Sequence, residues 1–187
     1  MARKTWQEKL ADDKDLPKVI RLTGNAKAKW GAGTMVIPAP REVDEVMRGV
    51  PRGKLITINE IRGTLAEKHG ATVGCPITTG IFAWIAAHAA EESSAARKKK
   101  TTPYWRTLKS GGELNAKYPG GAQGLKRLLE KEGHRVVPKG KRWLVEDFEK
   151  ALLAKPSNDG AEELRLGSLD SGAPSKSAMN AASASPG

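Results

Sequence analysis

The residues with chemistry to offer are few and largely confined to one stretch. Between Thr102 and Arg135 the chain reads Pro103-Tyr104-Trp105-Arg106, then Tyr118-Pro119-Gly120-Gly121, then Glu132-Gly133-His134-Arg135, and a single thiol, Cys75, precedes them. Aromatic walls, and glycines that let backbone approach closely, are what a pocket for an extruded nucleobase requires. Covalent chemistry is less well provided. Group transfer to a protein side chain needs an activated nucleophile. A phenol, with a pKa of about 10 and no base beside it, is a poor acceptor. Cys75 lies just ahead of an apolar-periodic segment, and a thiol at a helix N-terminus can have a lowered pKa. That makes it the one candidate acceptor, although a small buried cysteine is commonly inert. The plainer reading of Tyr104 and Trp105 is core packing, which large aromatics do well.

The elements that must position these groups can be read from caps and periodicity. Ala39-Pro40 opens a helix through Val43, Val46 and Met47 that stops at Gly49. Thr57 followed by Glu60 has the spacing of a capping box, and the helix behind it carries Ile58, Ile61 and Leu65 before ending near Gly70. After Gly74-Cys75-Pro76 a second helix is expected over about 78–92, with Ile77, Ile81, Trp84, Ile85 and His88 on one face. Its small residues, Thr78, Thr79, Gly80, Ala83, Ala86, Ala87 and Ala90, are expected to face outward. Two such helices suggest a helix-turn-helix with a longer link than usual. Residues 103–109 are predicted extended, with a helix after Gly121 that buries Leu125, Leu128 and Leu129. Pro138-Lys139-Gly140-Lys141 between two apolar runs reads as a hairpin and a basic wing. A last helix is expected over about 146–154, with Phe148, Leu152 and Leu153 inside.

The fold class is therefore mainly α with small β: a winged helix-turn-helix-like domain over 38–155. Residues 1–37 read as an N-terminal extension, with short helical patterns near Trp6 and Leu10 and near Lys18 to Leu22. Residues 156–187, rich in Ser, Ala, Gly and Asn, read as a disordered tail.

Charge narrows the partner. At 187 residues and 39% hydrophobic content the chain can bury one sizeable core. Its formal net charge is +11, and the span from Arg97 to Arg142 accounts for all of it, with 14 basic residues against Glu113, Glu130 and Glu132. Such concentration points to a polyanion, although a basic run such as Arg97 to Lys100 is also compatible with a solvated loop. One cysteine excludes intramolecular disulfides, and the N-terminal residues lack the apolar run of a signal peptide. A cytoplasmic protein is expected, nucleoid-associated in a prokaryote. No segment approaches the roughly 18 apolar residues of a membrane span. Cys75, His69, His88 and His134 show no metal-site spacing, so neither a metal nor a cofactor is expected.

The order of the motifs resembles the active-site half of the alkylguanine-DNA alkyltransferases, also called methylated-DNA-protein-cysteine methyltransferases. Pro51-Arg52-Gly53-Lys54-Leu55-Ile56-Thr57 looks like that family's turn before its first helix, and Tyr118-Pro119-Gly120-Gly121 like its Tyr-Ser-Gly-Gly loop. In the family, Pro-Cys-His-Arg supplies the acceptor thiol and its base, and a downstream glutamate matching Glu132 orients that base. Here Tyr104 and Trp105 replace the thiol and the histidine. In this the chain is similar to the alkyltransferase-like proteins, which carry a bulky aromatic residue there and bind lesions without repairing them.

The resemblance implies a lesion pocket of Tyr104, Trp105, Arg106, Tyr118, Gly120, Gly121 and Glu132, with a duplex contacted through its minor groove. DNA-contacting residues would be Ile58, Thr78, Thr79, Gly80, Arg97, Lys98, Lys99, Lys100, Lys109, Lys139 and Lys141. Ile58 and Gly80 depart from the tyrosine and arginine that the family places there, and Phe82 or Trp84 are candidate apolar wedges. The implied partners are double-stranded DNA, including duplex that carries alkylated guanine, and a repair protein, with the chain itself a monomer. Two other readings stay open: a working methyltransferase that uses Cys75, and a plain winged-helix module binding DNA or protein.

Overall fold

Caps and closely approaching backbones fix where each element begins and what it packs on. The computed structural model describes residues 4–96 and 101–153. In chain order it has α1 (Trp6–Leu10), β1 (Lys18–Arg21), α2 (Gly24–Trp30), β2 (Thr34–Ile37), α3 (Pro40–Arg48), β3 (Ile56–Thr57), α4 (Ile58–Lys68), β4 (Val73–Gly74) and α5 (Pro76–Ala95). A 3₁₀ turn (Tyr104–Arg106), β5 (Thr107–Leu108), α6 (Gly121–Glu130), β6 (Val136–Lys139), β7 (Arg142–Val145) and α7 (Phe148–Ala151) follow. The protein is mainly helical with small sheets. The expected tail, 156–187, lies outside the described residues.

The local signals behave as physics requires. α3 carries proline in its first turn and is capped by Gly49. At α4 the capping box closes: the Glu60 carboxylate accepts from the Thr57 backbone N–H at 2.8 Å, and the Thr57 hydroxyl accepts from Asn59 N–H at 3.2 Å. Such a cap contributes about 1 kcal/mol. α4 and α5 pack on one another across the short link that holds β4, and both touch α3. β6 and β7 pair antiparallel from Val136 with Val145 to Lys139 with Arg142, leaving Gly140-Lys141 as the turn. The wing is present as expected.

Four expectations are corrected. The pattern near Lys18 to Leu22, read as helical, is instead the strand β1, and residues 4–37 belong to the same compact unit as the rest, up to Leu153. α1 packs on α5, and β2 pairs parallel with β4 while β1 pairs antiparallel with β2. The segment 103–109 is not extended throughout, since Tyr104–Arg106 make a 3₁₀ turn before β5 pairs parallel with β3. The last helix is a single turn, because Leu152 leaves it to pair with Leu55, whose carbonyl accepts from Leu153 N–H at 2.8 Å, and Leu153 is left exposed.

The fourth correction turns α5 around. Thr79, Ala83, Ala86, Ala87, Ala89 and Ala90 are its buried residues, while Ile77 and Ile81 are 72% and 47% exposed. Of the small residues expected outside, Thr79 and the alanines point inward, whereas Gly80 stays on the outer side and Thr78 is half-buried. Methyl-sized side chains let α5 approach α3 closely, which dense packing favours. Trp6 of α1 then covers the upper part of the large face, lying edge-on to Trp84 at 4.7 Å and stacked on His88 at 4.5 Å. Gln7 secures the contact by donating to Ala89 O at 2.6 Å and to Ser93 Oγ at 2.8 Å.

Candidate nucleic-acid interface

The 3₁₀ turn brings the predicted pocket residues together. Arg106 donates from Nε to both Glu132 carboxylate oxygens, at 3.1 and 2.9 Å, and from Nη2 to Oε1 at 2.8 Å. Its Nη1 donates to Val50 O at 2.6 Å. The same carboxylate accepts from the Trp105 indole N–H at 2.8 Å and from Gly53 N–H at 3.1 Å. One buried anion thus ties the turn to the loop before β3. Burial raises the Glu132 pKa, but Arg106, Gly53 N–H and Trp105 together bring it below the ordinary carboxylate value. Neither Gly53 nor Val50 was foreseen as part of this cluster, because backbone groups leave no trace in residue type.

Tyr104 sits beside this cluster with only 6% of its surface exposed. Its hydroxyl donates to Glu91 Oε2 at 3.0 Å, and its ring meets Trp105 and Tyr118 edge-on, at 5.5 and 6.2 Å between centroids. Burial and the Glu91 carboxylate push the phenol pKa well above its usual value. The proton therefore stays on the ring oxygen, and this residue cannot act as a nucleophile. Trp105, in turn, has no basic nitrogen. Burial likewise raises the Tyr118 pKa. Gly120 and Gly121 open α6 with φ of +78° and +61°, a pair of conformations that L side chains rarely adopt. Glu91 is a partner that sequence reasoning missed, since nothing in its spacing joins it to Tyr104.

Cys75 is the N-cap of α5 and is partly exposed. Its N–H donates to Val36 O at 2.9 Å, and its carbonyl accepts from Thr79 N–H and from the Thr79 hydroxyl at 2.7 Å. None of these bonds leads toward Glu132.

The expected DNA-contacting residues divide. Thr79 is fully buried, its hydroxyl bound to Cys75 O, so it is not a groove-facing residue. Ala83, Ala86, Ala87 and Ala90 leave the interface with it. Ile58 is half-buried and packs against the core, and Thr78 is also half-buried. Gly80 remains on the outer side, where an added Cβ would meet nothing within 4 Å. It lines a groove of about 690 Å³ with Ile77, Ile81, Trp84, His88 and Lys117. Phe82 packs against the core, and the Trp84 indole N–H is bound by Lys117 O at 3.1 Å, which leaves neither free as a wedge. The exposed apolar groups here are Ile77 and Ile81.

Among the cations, Lys139 and Lys141 are exposed at the wing, with no carboxylate partner among the described residues. Lys109 is engaged by Glu113 at 2.5 Å, and Arg142 approaches the same carboxylate at 3.5 Å. Arg97, Lys98, Lys99 and Lys100 lie outside the described residues. Among the described residues, no cluster of side chains suits a metal ion. No helix among them is long and apolar enough to cross a membrane.

No family model and no curated protein matches the chain. Two solved structures are similar to it. One is S. pombe Atl1 in complex with damaged DNA containing O6-carboxymethylguanine, at 19% identity and a TM-score of 0.45, covering 62% of this chain and 94% of that chain. The other is S. pombe ATL in complex with DNA, at 19% identity and a TM-score of 0.46, with the same coverage.

Proposed function

We propose that this chain is a DNA-binding protein of the alkyltransferase-like kind, which recognises alkylated or otherwise damaged bases and serves DNA repair without moving the alkyl group onto itself at the usual position. The observation that carries the reading is the state of the Pro103-Tyr104-Trp105-Arg106 turn. Its scaffold is intact, with Glu132 holding Trp105 and Arg106. Its reactive positions hold a protonated phenol bound to Glu91 and an indole. A turn kept rigid while its nucleophile and base are gone supports binding rather than turnover.

α5 would lie against the minor groove through Ile77, Gly80 and Ile81, and Lys139 and Lys141 would hold phosphates. Apolar side chains of this kind enter base steps from the minor groove and kink the duplex. Here they would take the place of the family's arginine. Extrusion of a base costs a few kcal/mol, least for one that is already mispaired.

The burial of Tyr104 and Tyr118 favours a second reading, a winged-helix module that binds DNA without capturing a base. Titration against duplexes that differ only by an O6-alkylguanine separates the two. Lesion recognition predicts at least tenfold tighter binding to the alkylated duplex, about 1.4 kcal/mol. It also predicts that no labelled methyl group moves to the protein. Equal affinity for both duplexes leaves the plain module, and transfer that is lost in Cys75→Ala revives the enzyme.

A further inference from the structure

In the N-terminal sheet β2 enters the core through Met35 and Val36, but β1 and the α2 that follows it bury little. Every residue of β1 is exposed, no residue of α2 is buried, and between them only Leu22 enters the core. A segment that contributes so little buried apolar surface is not explained by stability. Its composition is distinctive: residues 16–41 hold Lys18, Arg21, Lys27, Lys29 and Arg41 and no acidic residue. The first four are exposed on β1 and α2, and none has a carboxylate partner among the described residues. Arg21 and Lys27 also line a cleft of about 330 Å³ with Gly33 and Thr34.

This segment is attached just ahead of α5. β2 pairs with β4 through Met35 with Val73 and Val36 with Gly74, immediately before the α5 N-cap. Arg62 of α4 lies over the Trp30 ring at 5.2 Å and donates to Gly74 O at 2.9 Å, which joins the end of α2 to α4 and to β4. Gly74 permits this fit, because a Cβ there would come within 2.6 Å of Arg62 O. β1 and α2 are thereby attached, through β2 and Arg62, to the segment that leads into the α5 N-cap.

We propose that β1, α2 and β2 form an accessory arm that grips the phosphate backbone of duplex DNA beyond the footprint of α4 and α5. The inference rests on the DNA-binding reading above. A polyanion fits a face with several cations and no carboxylate, and binding through phosphates carries no sequence preference. The arm raises affinity for damaged and undamaged duplex alike.

The test is the salt dependence of binding to a long undamaged duplex, compared between the wild type and a variant with Lys18→Ser, Arg21→Ser, Lys27→Ser and Lys29→Ser. Each phosphate contact contributes about −0.9 to the slope of log K against log salt. With four contacts removed, the slope of the variant should be shallower by about 3.6, with thermal unfolding unchanged. The double variant Lys27→Glu, Lys29→Glu should weaken binding further by charge repulsion. Wild-type binding to DNA with the same slope in both variants overturns the arm and leaves the DNA-binding reading standing. Failure of the wild type to bind duplex overturns both. Unchanged DNA slopes together with loss of binding to polyglutamate would assign the face to an acidic protein and overturn the proposal.

Discussion

The Glu132 cluster and the lower face of α5 present opposite situations. In the cluster, every oxygen of a buried carboxylate is bound, and the arginine, indole and backbone N–H that reach it have no better partner. On α5, two isoleucines stand in solvent beside a glycine, on the same helical face that Trp6 covers one turn further along. The first region is finished by folding, whereas the second is not. Full burial of an isoleucine is worth roughly 1.5–3 kcal/mol, and Ile77 forgoes most of it and Ile81 about half, which contact with another molecule could supply. The difference separates groups that folding satisfies from groups that it leaves in solvent.

Breaking the cluster should have the largest effect. Glu132→Ala leaves Arg106 buried without its counter-ion, and removing one partner of a buried pair costs about 3–5 kcal/mol. Urea unfolding should show that loss, and a change below about 1 kcal/mol would mean that the cluster is not a structural hub. Changing the open face should do the reverse. Ile77→Asp with Ile81→Asp should leave stability within about 0.5 kcal/mol of the wild type, as expected for exposed sites. Duplex binding should fall more than tenfold, about 1.4 kcal/mol, read by fluorescence anisotropy. Unimpaired binding would remove α5 from the interface.

The smallest effect sharpens the contrast through pH. Burial and the Arg106 charge lower the His134 pKa from 6.5, against an opposing pull from Glu132. The unfolded chain therefore gains a proton at that histidine before the folded protein does, so stability is complete above about pH 6.5 and declines below it. Glu132, lowered from 4.5, extends the decline further into acid. Urea midpoints measured across this range should fall with pH, and His134→Phe should flatten the upper part. A midpoint that rises on acidification would contradict the assignment.

What the sequence made legible was whatever depends on neighbours in the chain. The proline start of α3, the Thr57 cap and the Gly140-Lys141 turn are decided within a few residues, and each stands where local chemistry predicts. The orientation of α5 depends on α3 and on Trp6, far along the chain, so periodicity separated large from small residues while the expectation put the wrong set outside. Similarly, the turn at Tyr104–Arg106 is bent by bonds to Val50 and Glu132 that no local pattern encodes. Of the Glu132 cluster, Arg106, Trp105 and Glu132 were named through the resemblance, whereas the Glu91 partner of Tyr104 and the exposure of Ile77 and Ile81 emerged only from the packed structure.

The alanine face of α5 has one more effect. With only alanines and Thr79 on its buried side, the helix lies close against α3, and rolling or sliding it would drive it into the buried side chains there. It behaves as a fixed rail, set at its final angle before any ligand arrives, and association need not pay again in entropy for arranging it.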